Sequence, residues 1–272
     1  MGGLKLKALT PAHVQSLYRD RLDSGLSPAT VHKIHVILHK ALDQAVRWSL
    51  MLHNPTEVVK PPRPAPEGIR PLDREQAKAL LEAAYGDRFE ALYVSAVTTG
   101  LRQGELLGLR WEDIDLENGL IRIRRTLTRH KGRLILGEPK TKRSRRTVRL
   151  TEVAVEALKG HLARQMEQMK HLGDLYEDLG LVFATERGTL VNPTNLRERS
   201  FAPLLRKAGL PTVRFYDLRH TCATLLLSRN VNPKIVSEML GHATIAITLD
   251  TYSHVLPNMQ DSAARALEDA LR

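Results

Sequence analysis

Residues 120–150 read LIRIRRTLTRHKGRLILGEPKTKRSRRTVRL. Through Leu120–Thr128 apolar and basic residues alternate, with Ile121 and Ile123 standing between Arg122 and Arg124. A period of two marks a half-buried β-strand. His130-Lys131-Gly132 reads as a turn, Leu134-Ile135-Leu136 as a second strand and Thr147 to Leu150 as a third. The rest of the chain reads as helix, so the expected fold is mainly α with a small antiparallel β-sheet, an α+β protein. The stretch also concentrates charge. Residues 119–150 hold twelve Lys and Arg against one acidic residue. That excess equals the formal net charge of the whole chain, +11, which comes from 41 Lys and Arg and 30 Asp and Glu.

Working outward, Thr10-Pro11 and Ser27-Pro28 each pair a helix cap with an N1 proline. The second helix is expected to run to about Leu52, with Val31, Ile34, Leu38, Ala41, Leu42 and Ala45 on one apolar face and Asn54-Pro55 as its stop. Pro61, Pro62, Pro64, Pro66 and Gly68 then read as an extended linker. Beyond it, Asp73 and Gln76 form a capping box, and a helix from about Phe89 to Thr99 ends near Gly100. Helices are expected over 152–171 and 193–208, and from Asp217 onward with breaks at Asn232-Pro233 and Gly241. The organisation is a helical module over 1–60, a linker over 61–69 and a larger domain over 70–272.

The chain has 272 residues, 42% of them hydrophobic, enough to bury a core without staples. Its one cysteine, Cys222, precludes an internal disulfide and suits a reducing cytosol. No apolar run approaches the roughly 18 residues of a membrane span. The basic excess points to a polyanionic partner, most often nucleic acid, against the plainer reading of a protein that happens to be basic.

Four segments carry residues suited to chemistry on a phosphate. In Thr98-Thr99-Gly100-Leu101-Arg102-Gln103-Gly104-Glu105, Arg102 lies between glycines, with Glu105 placed to hold it if a helix restarts. A rigid arginine suits bidentate phosphate binding, although an ordinary surface ion pair has the same spacing. Gly137 to Arg146 forms a basic loop between strands, where Lys140 can donate a proton or simply bind phosphates. In Phe215-Tyr216-Asp217-Leu218-Arg219-His220-Thr221, Asp217 can cap a helix whose first turn holds Arg219. Leu240-Gly241-His242 places a histidine in a turn, and Thr251-Tyr252-Ser253-His254 offers a phenol that becomes a good nucleophile only where cations favour phenolate.

These four segments, in this order, resemble the tyrosine recombinases, also called the phage integrase family. Five motifs carry the likeness: Thr99-Gly100-Leu101-Arg102 with Glu105; Pro139-Lys140-Thr141; Asp217-Leu218-Arg219-His220-Thr221; Leu240-Gly241-His242; and Thr248 to His254 around Tyr252. The resemblance spans nearly the whole chain, and the wording is most like integrases of phages and integrative elements. It implies that Arg102 and Arg219 clamp the non-bridging oxygens of the scissile phosphate. It makes Lys140 the general acid on the leaving 5′ oxygen, His242 a hydrogen-bonding partner of the phosphate and Tyr252 the nucleophile that forms a 3′-phosphotyrosyl link. Glu105 buttresses Arg102, and His220 is a supporting residue. DNA contacts are expected from Arg122, Arg124, Lys131, Lys142, Arg143, Arg145 and Arg146 of the basic zone, and from Lys33 and Lys40 of the helical module. The implied partners are double-stranded DNA at attachment or core sites, further protomers in a tetramer on paired sites, and DNA-bending accessory proteins, in a bacterial cytoplasm. No membrane partner, metal, ATP or other cofactor is implied.

Two features depart from the family pattern. Tyr216 stands where a histidine is usual, three residues before Arg219, so a positioning role is expected of it. About 60 residues precede the linker, so the helical module, a core-type DNA-binding module in this family, reads as shortened. These departures keep a catalytically impaired DNA-binding remnant open as an alternative, and the shared catalytic residues keep open a type IB topoisomerase-like enzyme. Among residues outside the motifs, His32, His35 and His39 share a helix face that is expected to meet DNA or solvent rather than a metal. Cys222 is expected to be a buried small hydrophobe, and Trp48 and Trp111 packing anchors. Ala263, Ala264, Leu267 and Leu271 form an apolar stripe, which in a monomer would pack on its own domain and in this family often docks on a neighbouring protomer, the outcome expected in a DNA-bound assembly.

Overall fold

The computed structural model describes residues 3–64, 69–138, 145–253, 264 and 267–272. Two compact units divide the chain, Met1–Gly68 and Ile69–Arg272. The first holds α1 (Pro11–Asp23) and α2 (Pro28–Arg47), capped by the side chains of Thr10 and Ser27. Val14 and Tyr18 of α1 pack with Val31 and Leu38 of α2 and with Val59.

Helix α2 ends at Arg47, short of the expected Leu52. Ser49 turns the backbone to φ 57°, and the Leu50 amide donates back to the Ala45 carbonyl at 2.9 Å, a helix-ending pattern that the distant Asn54-Pro55 does not set. Asn54 is instead buried, its carboxamide nitrogen donating to the His39 carbonyl (3.1 Å) and to Asp43 (2.6 Å). The expected open histidine face is also revised. The ring Nδ1 of His35 meets the Tyr18 hydroxyl at 2.6 Å and that of His39 meets Thr56 Oγ1 at 2.7 Å, while the two rings stack at 5.7 Å. Trp48, expected to anchor packing, is 67% exposed.

The second unit opens with α3 (Arg74–Ala84), whose capping box joins Asp73 and Gln76. Helix α4 (Glu90–Thr99) is buried almost all round, from Ala91 through Val97, and is the centre of the core. It is followed by the short α5 (Gln103–Leu107). The β zone is not one three-stranded sheet of the expected strands. β1 (Ile114–Asp115), β2 (Leu120–Ile123) and β5 (Arg146–Arg149) make an antiparallel sheet in the order β1-β2-β5, while β3 (Thr126–His130) and β4 (Arg133–Gly137) form a separate hairpin. The single strand expected over Leu120–Thr128 breaks at Arg124-Arg125. There, Arg125 donates to Asp113 and Glu112, both at 2.6 Å, and draws the chain out of the first sheet.

Helix α6 (Glu152–Leu172) buries Ala154, Leu158, His161 and Gln165 along one stripe. Trp111 does anchor packing: its Nε1 donates to Gln165 Oε1 at 2.7 Å and its ring stacks on His161. The helix expected over 193–208 is α7 (Pro193–Leu196), a π-helical turn (Arg197–Phe201) and α8 (Ala202–Lys207). Last come α9 (Asp217–Leu227), α10 (Pro233–Leu240) and α11 (Ile245–Tyr252), broken at Asn232-Pro233 and at Gly241 as expected. Cys222 is buried, and burial pushes its thiol up to about 12. Leu267 and Leu271 are exposed; Ala263 lies outside the described residues. Among the described residues no helix is long and apolar enough to cross a membrane. The architecture is thus mainly α with small antiparallel sheets.

Candidate active site

The site is built on the end of α4. Gly100 turns the chain through φ 62°, and a Cβ there would fall 2.5 Å from Leu240 Cδ2 and 3.3 Å from Cys222 Sγ. Only glycine meets both demands. Its carbonyl accepts from Arg219 Nη1 at 2.9 Å. Arg102 then occupies the position before α5, with Glu105 at the third helical position. The Glu105 carboxylate accepts from the Arg102 amide at 3.0 Å and from Arg102 Nη1 at 2.8 Å. Nη2 of Arg102 reaches the Gly241 carbonyl at 3.4 Å.

Arg219, in the first turn of α9, is 1% exposed. Its Nε and Nη2 are buried without a hydrogen-bond partner among the described residues. Burial, then the charge of Arg102, lowers its pKa to about 10, so it remains a cation at neutral pH. A buried guanidinium with two unanswered donors is costly unless an anion takes them. Asp217 does not cap α9 with its side chain. It reaches back instead, accepting from the Arg214 amide at 2.8 Å and pairing with the Arg214 guanidinium at 3.0 Å.

His242 follows the Gly241 turn, and its Nδ1 lies 2.7 Å from Thr248 Oγ1. Burial, then the charges of Arg219 and Arg102, lowers its pKa to about 4, so the ring is neutral at pH 7. When the threonine donates to Nδ1, the ring proton sits on Nε2 as a donor. Tyr252 closes α11 and is 1% exposed among Ala223, Leu227, Val236 and Leu240. Its hydroxyl meets His220 Nδ1 at 2.7 Å. Burial raises the phenol pKa while Arg219 opposes the rise. Burial also lowers the pKa of His220, leaving a neutral imidazole against the phenol. Tyr216 is half exposed and meets the His220 ring edge to face at 5.0 Å.

Arg102, Glu105, Arg219, His220, His242 and Tyr252 therefore form one cluster. Lys140, Lys142 and Arg143 lie outside the described residues. The other basic residues are spread out. Arg122, Arg124 and Arg145 line an open cleft of about 690 Å³ with Arg110 and Arg125, and Arg146 borders it. Lys131 is at the tip of the β3–β4 hairpin, and Lys33 and Lys40 are exposed on α2. Arg146 differs from its neighbours: its guanidinium is buried against Glu105, with Nη1 and Nη2 at 3.2 and 3.0 Å from the carboxylate. The motifs do not mark this residue. The signal for it was strand alternation, since an inward Val148 in β5 also turns Arg146 inward.

Residues 70–259 match the phage integrase family, and the chain belongs to that family of tyrosine recombinases, whose members are enzymes. It is 35% identical to a XerC-like tyrosine recombinase of Caldanaerobacter subterraneus subsp. tengcongensis, over 98% of this chain and 73% of that protein. It is 27% identical to the ICEBs1 integrase of Bacillus subtilis, over 98% of this chain and 72% of that one. In fold it is similar to the Tn1549 transposon integrase in complex with circular intermediate DNA, with a TM-score of 0.78 at 23% identity, over 98% of this chain and 86% of that one. It is also similar to lambda integrase, solved as a dimer bound to a COC′ core site, with a TM-score of 0.62 at 18% identity, over 91% and 81% of the two chains.

Proposed function

We propose that the chain is a site-specific recombinase that cuts and rejoins DNA of a phage or other mobile element through a 3′-phosphotyrosyl intermediate. One observation carries the reading most: Arg219 is buried with two unpartnered donors, beside Arg102 and in the same cluster as Tyr252. In the proposed reaction the Tyr252 oxygen attacks phosphorus in line and the P–O5′ bond breaks. The phenol proton passes to neutral His220, and Lys140 protonates the departing 5′ oxygen. Arg102, Arg219 and His242 Nε2 offset the charge that builds on the non-bridging oxygens, so neither a metal nor ATP is required. Rejoining reverses these steps at a new 5′ hydroxyl. Residues 1–60 act as a core-type DNA-binding module, 61–69 as a linker and 70–272 as the catalytic domain. Recombination proceeds in a tetramer on paired sites, with DNA-bending proteins as accessory partners, in the bacterial cytoplasm.

The test is covalent capture. The full chain is incubated with sheared genomic DNA of its source organism, protein-linked fragments are sequenced, and nicked duplexes are built on the recovered site. The expected result is an adduct that survives denaturation with the unmodified protein and is absent with Tyr252→Phe. An adduct that persists in that variant removes Tyr252 as nucleophile, and no adduct with the unmodified protein removes the catalytic reading.

A further inference from the structure

Arg146 is the most enclosed arginine of the basic zone among the described residues, its side chain 8% exposed. It starts β5, opposite Ile123 in the register of β2 and β5. Three elements meet on its guanidinium. The carboxylate of Glu105, on α5, takes both Nη1 and Nη2. The carbonyl of Met239, on α10, accepts from Nε at 2.7 Å. Gly241, the turn that leads into His242, lies so close that an added Cβ would be 2.9 Å from Arg146 Nη1 and 3.1 Å from its Cδ. Glu105 in turn holds Arg102 by its amide and its Nη1, and Arg102 reaches the Gly241 carbonyl.

We propose that Arg146 is a positioning residue for DNA cleavage, which fixes Glu105 and the Gly241 turn in one frame so that Arg102 and His242 face the scissile phosphate together. The proposal rests on the recombinase reading above. Arginine suits the task because its planar fork spans two carboxylate oxygens while Nε serves a third acceptor; the single ammonium of lysine cannot span all three. Glu105 stays ionised in spite of its burial: burial raises its pKa, and Arg146 first, then Arg102, brings it below the usual carboxylate value. With Arg146 gone, the carboxylate is free to draw the Arg102 guanidinium inward, away from the phosphate.

The experiment compares Arg146→Met and Arg146→Lys with the unmodified full chain on nicked duplexes carrying the captured core site. Single-turnover adduct formation is measured on the ordinary phosphodiester. It is measured again on a duplex whose scissile phosphate has one non-bridging oxygen replaced by methyl, each diastereomer separately. That neutral phosphonate develops less charge in the transition state and so needs less help from Arg102. On the phosphodiester, Arg146→Met should slow the adduct about 10²-fold, the size of losing one well-placed donor, and Arg146→Lys should fall between. On one methylphosphonate diastereomer the gap between variant and unmodified protein should shrink to about threefold or less, because the lost interaction acts on charge. If Arg146→Met does not fold, Arg146→Lys alone must show the same narrowing. An unchanged rate on the phosphodiester overturns the proposal. So does an equal loss on both substrates, which general damage to the fold would give. Failure of the recombinase reading looks different: the unmodified protein then forms no adduct at all, and this proposal falls with it.

Discussion

Two sets of arginines occupy the catalytic unit and behave in opposite ways. Arg219 and Arg146 are enclosed, with Arg102 beside them, near the buried carboxylate of Glu105. Arg122, Arg124 and Arg145 line an open cleft between the two small sheets, and Arg145 pairs with the exposed Glu138. An enclosed cation cannot shed its charge into water and must be answered by a fixed partner, so its geometry is set in advance. An open cation is solvated and screened, so it can change partner at little cost. The first set is suited to stabilising charge that appears only during reaction, the second to holding a polyanion in any register.

The largest expected effect follows from the enclosed set. Arg219→Lys keeps a charge but not the fork that joins the Gly100 carbonyl to the two unpartnered donors. Adduct formation on a nicked core site should slow about 10²–10³-fold, as for loss of one preorganised donor. Retention of the same DNA at low salt should persist, since the open arginines remain. If the variant cuts at the normal rate, the division between the two sets does not describe catalysis.

The same division explains what was legible in the sequence. Helix caps at Thr10, Ser27 and Asp73 were readable because a cap is local, a side chain and an amide three residues apart. Arg102 with Glu105 was readable for the same reason. The break of the Leu120–Thr128 strand was not, because it depends on Arg125 finding Asp113 and Glu112 across the fold. In the sequence Arg146 reads as one more DNA-facing cation, because composition counts charge without its direction. His35 and His39 read as part of an open face, since nothing local shows that Tyr18 and Thr56 will meet them. Trp48 shows the converse: a large apolar side chain is no guarantee of burial.

A smaller effect should appear in stability against pH, and it separates the two sets again. The folded pKa of His242, about 4, is below its ordinary 6.5, because burial and then Arg219, Arg102, His220 and Arg146 disfavour the cation. A lowered histidine pKa means that the unfolded chain binds the proton more readily. The contribution to stability is therefore full above about pH 6.5 and is lost as pH falls from there toward 4. Discounted for solvent screening of a half-buried ring, the loss is of order 1–2 kcal/mol. His242→Gln, which cannot take the proton, should lose less Tm than the unmodified protein between pH 7 and pH 4 in thermal melts. Parallel curves would mean that the enclosed cations do not press on this ring.

The smallest effect per residue belongs to the open set, where it is read as a slope. Each phosphate neutralised by Lys or Arg releases condensed counterions, and contributes about 0.9 to the fall of log affinity with log salt. Arg122→Ala with Arg145→Ala should therefore lower that slope by about 2 and weaken binding to all sequences alike. Stability should stay within about 0.5 kcal/mol, because both side chains are solvated and the Arg145–Glu138 pair is exposed at both ends. The rate of the bound complex should also hold, since neither guanidinium is tied to Glu105. A slope that does not change would take these two arginines off the DNA path. A large fall in the bound-state rate would mean that the open cleft and the enclosed frame are one device, joined at Arg146, which borders the cleft.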